Sequence, residues 1–290
     1  NDEFVLVDID EEHLQLMHRL GRVLLDIAGC STRLQMTTDR LDALTGSDYV
    51  LTTFRPGGFY SRRWDESIPL KYGVIGNETI GPGGLFMACR SIPVMFEIAR
   101  DIEQVCPNAS VINYTNPTNL VTCALNRYSH IKIIGICDQH VGERLALAKL
   151  LGVSSTRIKT NSIGLNHATW ITALYLDGKN ILSDFSQRIQ KGEFHTDDAR
   201  LSRSLDLCGM YGLFPTYYLQ YYYYADTMVD VAIKRGFTRA DEILNELPAI
   251  WKSYEDTIRE RLPRPPLQRG GSDHGEFALD VISALRGGEE

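Results

Sequence analysis

Short apolar runs alternate with segments of helical spacing over the first half of the chain. The runs FVLV, YVLTTF, SVINY and IKIIGI are bounded by polar or turn-forming residues, as expected for buried strands. Between these runs, segments such as EEHLQLMHRLGRVLLDIAG carry apolar residues at helical spacing. After the last run, GERLALAKLLG is a further predicted helix, which Gly152 closes as a C-cap. A long loop is expected over residues 55–84. The alternation predicts an α/β fold with a Rossmann-like, doubly wound parallel sheet.

The pattern changes after residue 155. The segment RIKTNSIGLNHATWITALYLDGKNIL alternates in the manner of antiparallel strands, with a turn at Asp177-Gly178. Residues 200–261 are predicted to be helical and contain the aromatic block TYYLQYYYY, and a proline-rich loop precedes a last helix. We therefore expect two domains, residues 1–155 and 156–290, the second of mixed α+β type.

The composition is that of an ordinary globular protein, with 43% hydrophobic and 23% charged residues. A formal net charge of −7 argues against a nucleic-acid-binding surface, and no apolar run approaches the length that spans a bilayer. The six cysteines are scattered without a CxxC spacing, which fits a reducing, cytoplasmic setting. Neither nucleic acid nor membrane is expected as a partner.

Polar side chains follow the predicted strands: Asp8, Arg55, Asn116, Cys137 and Asp138. In a doubly wound sheet these strand ends meet at one edge, where ligands bind. Asp8 could accept hydrogen bonds from the ribose of NAD, although a strand-end aspartate more often caps the next helix. The Asn116-Pro117 bond is a candidate cis peptide, with an ordinary solvent turn as the alternative.

Cys137 and His167 together could bind a divalent metal, because thiolate and imidazole are suitable ligands and substrate oxygens could fill the remaining positions. The alternatives are a nucleophilic or packing cysteine and a structural histidine. Residue types and spacing leave these alternatives open.

Four motifs follow one another along the chain: SRRWDESIPLKYGVIGNETIGPGGLFMACRSIPV, VINYTNPTNLVT, GICD and GLNHATW. Together they resemble glycoside hydrolase family 4, the NAD- and Mn²⁺-dependent glycosidases related in fold to lactate and malate dehydrogenases. The resemblance runs from Glu3 to about Leu176 and is weaker but traceable beyond. It implies an NAD-binding domain at residues 1–155 without its first strand. Residues 156–290 would be a truncated substrate- and metal-binding domain like the dehydrogenase C-terminal domain, so the chain is expected to be a fragment.

The resemblance implies hydrolysis of an O-glycosidic bond by a redox route, outside the two-carboxylate mechanism. NAD⁺ oxidises the 3-hydroxyl of the sugar, which acidifies the proton on C2, and a metal ion bridging the C2 and C3 oxygens stabilises the enediolate. The leaving group departs, water adds and the hydride returns. The TYYLQYY segment is similar to the 6-phosphoglucosidase branches, so the expected substrate is a 6-phospho-glucoside or a similar glycoside. A homodimer or homotetramer is expected, with the tyrosine-rich helix as an interface.

By the resemblance, Cys137 and His167 hold Mn²⁺ or another divalent metal, and Asp138 protonates the leaving oxygen. The residues expected to contact the cofactor are Asp8, Arg55 and Asn116. The residues expected to contact the substrate are Arg62, Glu78, Arg90, Asn116 and Asn166.

The base that removes the C2 proton is the main departure from the family pattern. Family members carry a tyrosine near the RGG segment, where this chain has Asp273, His274 and Phe277. Asp273 is a candidate base, and so is His274, because imidazole titrates close to neutral pH. The competing interpretations are a catalytically impaired homologue that binds NAD or sugar, and a 2-hydroxyacid dehydrogenase.

Overall fold

The computed structural model describes residues 3–262, 266–267 and 274–287. The strands of the first half are β1 (Glu3–Val7), β2 (Arg33–Thr37), β3 (Tyr49–Thr52), β4 (Ser110–Asn113) and β5 (Lys132–Gly135). The helices between and after them are α1 (Glu11–Ile27), α2 (Arg40–Leu44), α3 (Gly58–Leu70), α4 (Gly81–Val105), α5 (Thr118–Tyr128) and α6 (Gln139–Leu151). The predicted alternation of strands and helices is confirmed.

These strands pair in parallel, in two sheets of order β1-β2 and β3-β4-β5. Thr52, Asn113 and Gly135 are the last residues of β3, β4 and β5 and pair side by side at the carboxyl ends of these strands. The segments that follow β4 and β5 therefore leave the sheet at the same edge. Strand β2 was not expected from the sequence, because its side chains are exposed or only half-buried and give no buried apolar run.

Helix α3 occupies much of the expected long loop, and that expectation is wrong. Its buried face carries Arg62, Asp65 and Glu66, whereas Tyr60 and Trp64 are 69% and 59% exposed. The usual amphipathic pattern is inverted, with charged side chains buried and aromatic ones exposed. The burial is tolerated because the buried charges are paired with one another and with charges outside the helix. A search for an apolar helical face could not detect such a helix.

The second half begins with an antiparallel sheet of β6 (Ile158–Leu165), β7 (Ala168–Leu176) and β8 (Lys179–Asn180), and β9 (Phe214–Pro215) also pairs with β7. The helices are α7 (Leu182–Gln190), α8 (Ala199–Tyr211), α9 (Gln220–Tyr223), α10 (Ala225–Arg235), α11 (Arg239–Glu260) and α12 (His274–Gly287). The predicted turn is confirmed, since Asp177 and Gly178 link β7 to β8 with φ angles of 50° and 82°.

Three apolar clusters occur among the described residues, and the two larger ones hold most of these elements together. The first lies between α4, α5 and the β3-β4-β5 sheet and includes Met95 and Val111. The second includes Leu147 of α6, Leu174 of β7 and Phe185 of α7, each completely buried. Burial of side chains of this size stabilises the fold by about 1.5–3 kcal/mol each. Helix α6 therefore fixes the end of β5 relative to the β6-β7 hairpin.

Among the residues described by the structure, no helix has both the length and the apolar character required to cross a membrane. The division into domains at residues 155 and 156 stays a prediction.

Candidate metal and substrate site

Cys137 and His167 come together although 30 residues separate them in the sequence. Cys137 lies two residues after the end of β5, at the edge where the strands of the second sheet end, and His167 is in the two-residue turn between β6 and β7. Cys137 Sγ lies 3.5 Å from His167 Nε2. Metal–nitrogen and metal–sulfur bonds of about 2.1 and 2.3 Å, meeting at 90–110°, place two such atoms about 3.1–3.6 Å apart. One cation could therefore contact both groups.

The turn holds His167 in a conformation that side chains rarely adopt, with a φ of 62°. Gly164, just before the turn, makes the hairpin possible, because a Cβ atom there would lie 2.3 Å from the carbonyl oxygen of Ala168. His167 is buried, and its ring stacks on Tyr218 with centroids 3.7 Å apart and planes within 3°. Burial lowers the pKa of His167 to about 4, against the opposing effect of the Glu78 carboxylate, so the ring is neutral near pH 7.

The half-buried thiol of Cys137 has a pKa raised mainly by burial, while hydrogen bonds from the Gln139 backbone and the Asn166 side chain lower it. The Asn166 Oδ1 atom is buried and has no hydrogen-bond partner among the described residues. Cys137 and Asn166 also line an open cleft of about 490 Å³. An orphaned oxygen beside the thiol and imidazole is what a bound cation or a sugar hydroxyl would satisfy.

Four charged side chains form a cluster beside this pair, in which Arg62 and Glu66 are buried and the other two are partly buried. Arg62 Nε donates to Glu66 Oε1 at 2.6 Å, and Arg62 Nη1 lies 2.9 Å from Glu78 Oε1. Arg55 also pairs with Glu78, and burial lowers the pKa of Arg55 while Glu78 opposes that shift. The cluster balances two positive and two negative charges, and its Glu78 carboxylate is near enough to raise the pKa of His167 against the larger effect of burial.

Arg90 and the residue that contacts Asn116 are neighbours on α4. Arg90 forms a two-bond ion pair with Asp65 of α3. The carbonyl oxygen of Asn116 accepts a hydrogen bond from Ser91 at 2.9 Å, and the bond from Asn116 to Pro117 is cis, which decides between the two alternatives that the sequence left open. The roles of Arg62, Glu78, Arg90 and Asn116 in ligand binding stay predictions.

Asp138 occupies the N-cap position of α6 and is half-buried. Together with Cys137 it contributes to raising the pKa of Tyr114 to about 12, although burial is the larger cause. Asp138 therefore stands beside the thiol at the start of a helix, where a carboxylate is favourably placed. Its role as a proton donor stays a prediction.

The remaining predicted residues lie elsewhere. Asp8 is exposed after β1 and accepts a hydrogen bond from the Asp10 backbone at 2.9 Å, and it is Asp10 that caps α1. Asp8 therefore does not cap α1, and the capping alternative is wrong. His274 begins α12, and Phe277 of that helix lines the cleft, whereas Asp273 lies outside the described residues.

Sequence reasoning did not single out Thr79, Tyr218 or Glu143. Thr79 lies 2.8 Å from the second ring nitrogen of His167, and Tyr218 covers the face of that ring. Tyr218 belongs to the tyrosine block that was interpreted as packing and interface. Glu143 connects α6 to the segment that carries Tyr218. In the sequence, the only feature that could have drawn attention to Glu143 is its position as an acidic residue within the mainly apolar segment predicted to form α6.

The fold and site define a Rossmann-type α/β protein with a cysteine–histidine pair at its ligand-binding edge. The chain belongs to glycosyl hydrolase family 4: the model of that family matches residues 1–153, and the model of its C-terminal domain matches residues 162–290. These matches also confirm the family resemblance of the sequence motifs.

The chain is 35% identical over 292 residues to a probable 6-phospho-beta-glucosidase of Bacillus subtilis (strain 168), covering 98% of this chain and 66% of that protein. It thus spans just under two thirds of that relative. A 6-phospho-alpha-glucosidase from gut microorganisms, solved with NAD and Mn²⁺, superposes with a TM-score of 0.86 at 29% identity, over 98% of this chain and 68% of that one. The 6-phospho-beta glucosidase from Thermotoga maritima, solved with manganese, NAD⁺ and glucose-6-phosphate, gives a TM-score of 0.83 at 26% identity, over 98% and 66%.

Proposed function

We propose that this protein is a glycosidase that hydrolyses 6-phospho-glucosides with NAD and a divalent cation, Mn²⁺ by similarity, as cofactors. The observation that carries the proposal is the 3.5 Å contact between Cys137 Sγ and His167 Nε2 at the ligand edge of the sheet. The named relatives support the substrate class, and the two solved structures support the cofactors.

The chain's own groups fit a divalent cation. A thiol and a neutral imidazole are donors for such ions, and the buried oxygen of Asn166 is a third polar atom without a partner in the described part of the chain. No cluster of three or more His, Cys, Asp or Glu residues occurs among the described residues, so Cys137 and His167 are not joined there by a third ligand of these types. Open positions are what a catalytic cation needs in order to bind substrate oxygens.

When bound, NAD would accept a hydride from C3 of the sugar and the cation would act as a Lewis acid at the C2 and C3 oxygens. Cys137 and His167 would hold the cation, and Asp138 would donate a proton to the leaving oxygen. Asp8 is exposed and fits a ribose hydroxyl as hydrogen-bond acceptor. Arg55 fits a cofactor contact less well, because its guanidinium is paired with Glu78.

The residues assigned to the sugar are Arg62, Glu78, Arg90, Asn116 and Asn166, and the candidate bases are Asp273 and His274. The proposal includes a cytoplasmic location and a homodimer or homotetramer. The exposed Tyr222 and Tyr223 of the tyrosine block are available for such an interface.

The test measures nitrophenol release from α- and β-nitrophenyl glucosides, with and without a 6-phosphate, in the presence of NAD⁺, Mn²⁺ and a reductant. Each component is then left out in turn, and Cys137→Ser serves as the matched inactive variant. Hydrolysis that needs NAD⁺, the cation and Cys137 supports the proposal, and the preferred anomer tests the role of Asp138. No hydrolysis of any substrate, with NAD⁺ and Mn²⁺ both bound by calorimetry, would instead identify a catalytically impaired homologue.

A further inference from the structure

Thr79 lies in the loop before α4, is 5% exposed, and has two polar neighbours at its hydroxyl. Thr79 Oγ1 is 2.8 Å from Asn77 Oδ1 and 2.8 Å from His167 Nδ1. The backbone N–H of Thr79 also donates to Asn77 Oδ1, at 2.9 Å. A backbone N–H can only donate, so the Asn77 atom at this position must be the amide oxygen and not the amide nitrogen.

This arrangement determines the direction of each hydrogen bond. A hydroxyl has one hydrogen, and Asn77 Oδ1 can only accept, so the hydrogen of Thr79 points to Asn77. The contact with His167 must therefore run the other way, with Nδ1–H donating to Thr79 Oγ1. In a neutral imidazole the other nitrogen, Nε2, then carries the lone pair, and Nε2 is the atom that faces Cys137.

We propose that Asn77 and Thr79 fix the tautomer of His167 with its Nε2 lone pair directed at the cation position, which makes Thr79 a positioning residue for the metal site. The proposal rests on the proposed function in one respect, because it takes His167 to be a metal ligand. Hydrogen-bond partners of metal-binding histidines set ring orientation and basicity, and their loss typically weakens metal affinity about 10- to 100-fold.

Tyr218 and Thr79 restrain the ring in different ways. The stacked Tyr218 ring fixes the plane of the imidazole but is not a hydrogen-bond partner of a nitrogen in that plane. The alternative tautomer would place the proton on Nε2, between the ring and the thiol, where it would block metal binding. In this arrangement, the hydroxyl of Thr79 is therefore the group that excludes the tautomer with the proton on Nε2.

The test compares Thr79→Val, which keeps the branched shape without the hydroxyl, with Thr79→Ser, which keeps the hydroxyl. Thr257→Val is the control, because Thr257 is 1% exposed and its hydroxyl donates to the Ser253 carbonyl oxygen in α11. The first measurement is the ¹⁵N chemical shifts of the His167 ring in metal-free protein. The second is the Co²⁺ dissociation constant, followed by the thiolate-to-cobalt absorption band.

We expect the wild-type ring to be protonated at Nδ1. In Thr79→Val the two tautomers should mix and the Co²⁺ dissociation constant should rise about 10- to 100-fold. Thr79→Ser and Thr257→Val should match the wild type in both measurements.

A wild-type ring protonated at Nε2 would overturn the proposal, and this measurement needs no variant to fold. A wild-type tautomer and Co²⁺ affinity in folded Thr79→Val would overturn the positioning role. If the wild type has the Nδ1–H tautomer but binds no Co²⁺, the metal-dependent function fails and the positioning role fails with it, while the tautomer assignment stands.

Discussion

Glu143 is a buried carboxylate that connects the helix after Cys137 to the segment after β9. It is 2% exposed, and its Oε1 accepts three hydrogen bonds: from Gln139 Nε2 at 2.9 Å, Thr216 Oγ1 at 2.5 Å and the Tyr217 backbone N–H at 2.9 Å. Burial raises the pKa of Glu143, and these hydrogen bonds partly oppose the shift. The side chain therefore serves as a shared acceptor between two elements of the site.

Glu143→Ala would remove the acceptor and leave the donors of Thr216 and Tyr217 buried without a partner. Each orphaned donor costs about 1–3 kcal/mol, and relief of the buried carboxylate offsets part of that loss. We therefore expect the free energy of unfolding to fall by about 2–4 kcal/mol. Glu143→Gln keeps an oxygen acceptor and is expected to change stability by less than about 1 kcal/mol.

The two variants also differ from the wild type in their pH dependence. Because the folded pKa of Glu143 is raised, the folded state binds the proton more tightly than the unfolded state does. The free energy of unfolding of the wild type should therefore decrease relative to that of Glu143→Gln as the pH rises from below the unfolded pKa of Glu143 through its folded pKa. The full loss is reached above the folded pKa. The Gln variant has no such proton to lose.

Urea unfolding followed by circular dichroism, at about pH 3.5 and about pH 8, measures both effects. Equal losses in the Ala and Gln variants would refute the role of Oε1 as a shared acceptor. A wild-type–Gln difference that does not change with pH would contradict the raised pKa. The ring contact between Tyr218 and His167 gives a local readout, because the Ala variant should also weaken Co²⁺ binding in the folded protein and the Gln variant should not.

Three further predictions concern the same site and its surroundings. The pKa of Cys137 is raised and that of His167 is lowered to about 4, so metal binding should release one proton, from the thiol. The apparent Co²⁺ affinity should then rise about tenfold per pH unit between about pH 6 and 8 and lose this slope in Cys137→Ser, whereas a flat wild-type titration would contradict it. Tyr218→Leu should weaken Co²⁺ binding about 2- to 10-fold by removing the ring stack, and Tyr218→Phe should not weaken it. Equal Co²⁺ affinities of the Leu variant and the wild type in a titration would exclude a contribution of the stack to metal binding. Gly76→Ala would place a Cβ 1.9 Å from a backbone oxygen of α3 and should lower the melting temperature strongly, whereas Gly142→Ala meets no atom within 4 Å and should raise stability by about 0.5–1 kcal/mol.

The strand ends could be predicted because they depend on a local pattern and one topological rule. Apolar runs that end in polar residues mark buried parallel strands, and parallel strands bring their carboxyl ends to one edge. The pairing of Asn113 with Gly135 confirms this for the two strands that precede Asn116 and Cys137. The approach of His167 to Cys137 did not follow from spacing and was expected only from the family resemblance.

The supporting residues could not be predicted because their contacts are polar and distant in sequence. Thr79 and His167 are 88 residues apart, and Glu143 and Thr216 are 73 apart. Periodicity records which face of an element is apolar, but it does not record which buried polar groups pair across elements. Helix α3 shows the same limit, since its buried face is charged and Arg62 is satisfied by carboxylates from two elements.

The separation of Cys137 from His167 is set by the packing of the second core. Helix α6 starts two residues after Cys137, and its buried Leu147 lies in one cluster with Ile171 and Leu174 of β7, the strand that follows His167. The two proposed ligands therefore stand just before two elements, α6 and β7, that pack in one apolar cluster. Loss of packing at Leu147 would let the thiol and imidazole move apart without altering either group. Metal affinity should therefore decrease with core stability in variants of this cluster, even though the cluster contains no ligand.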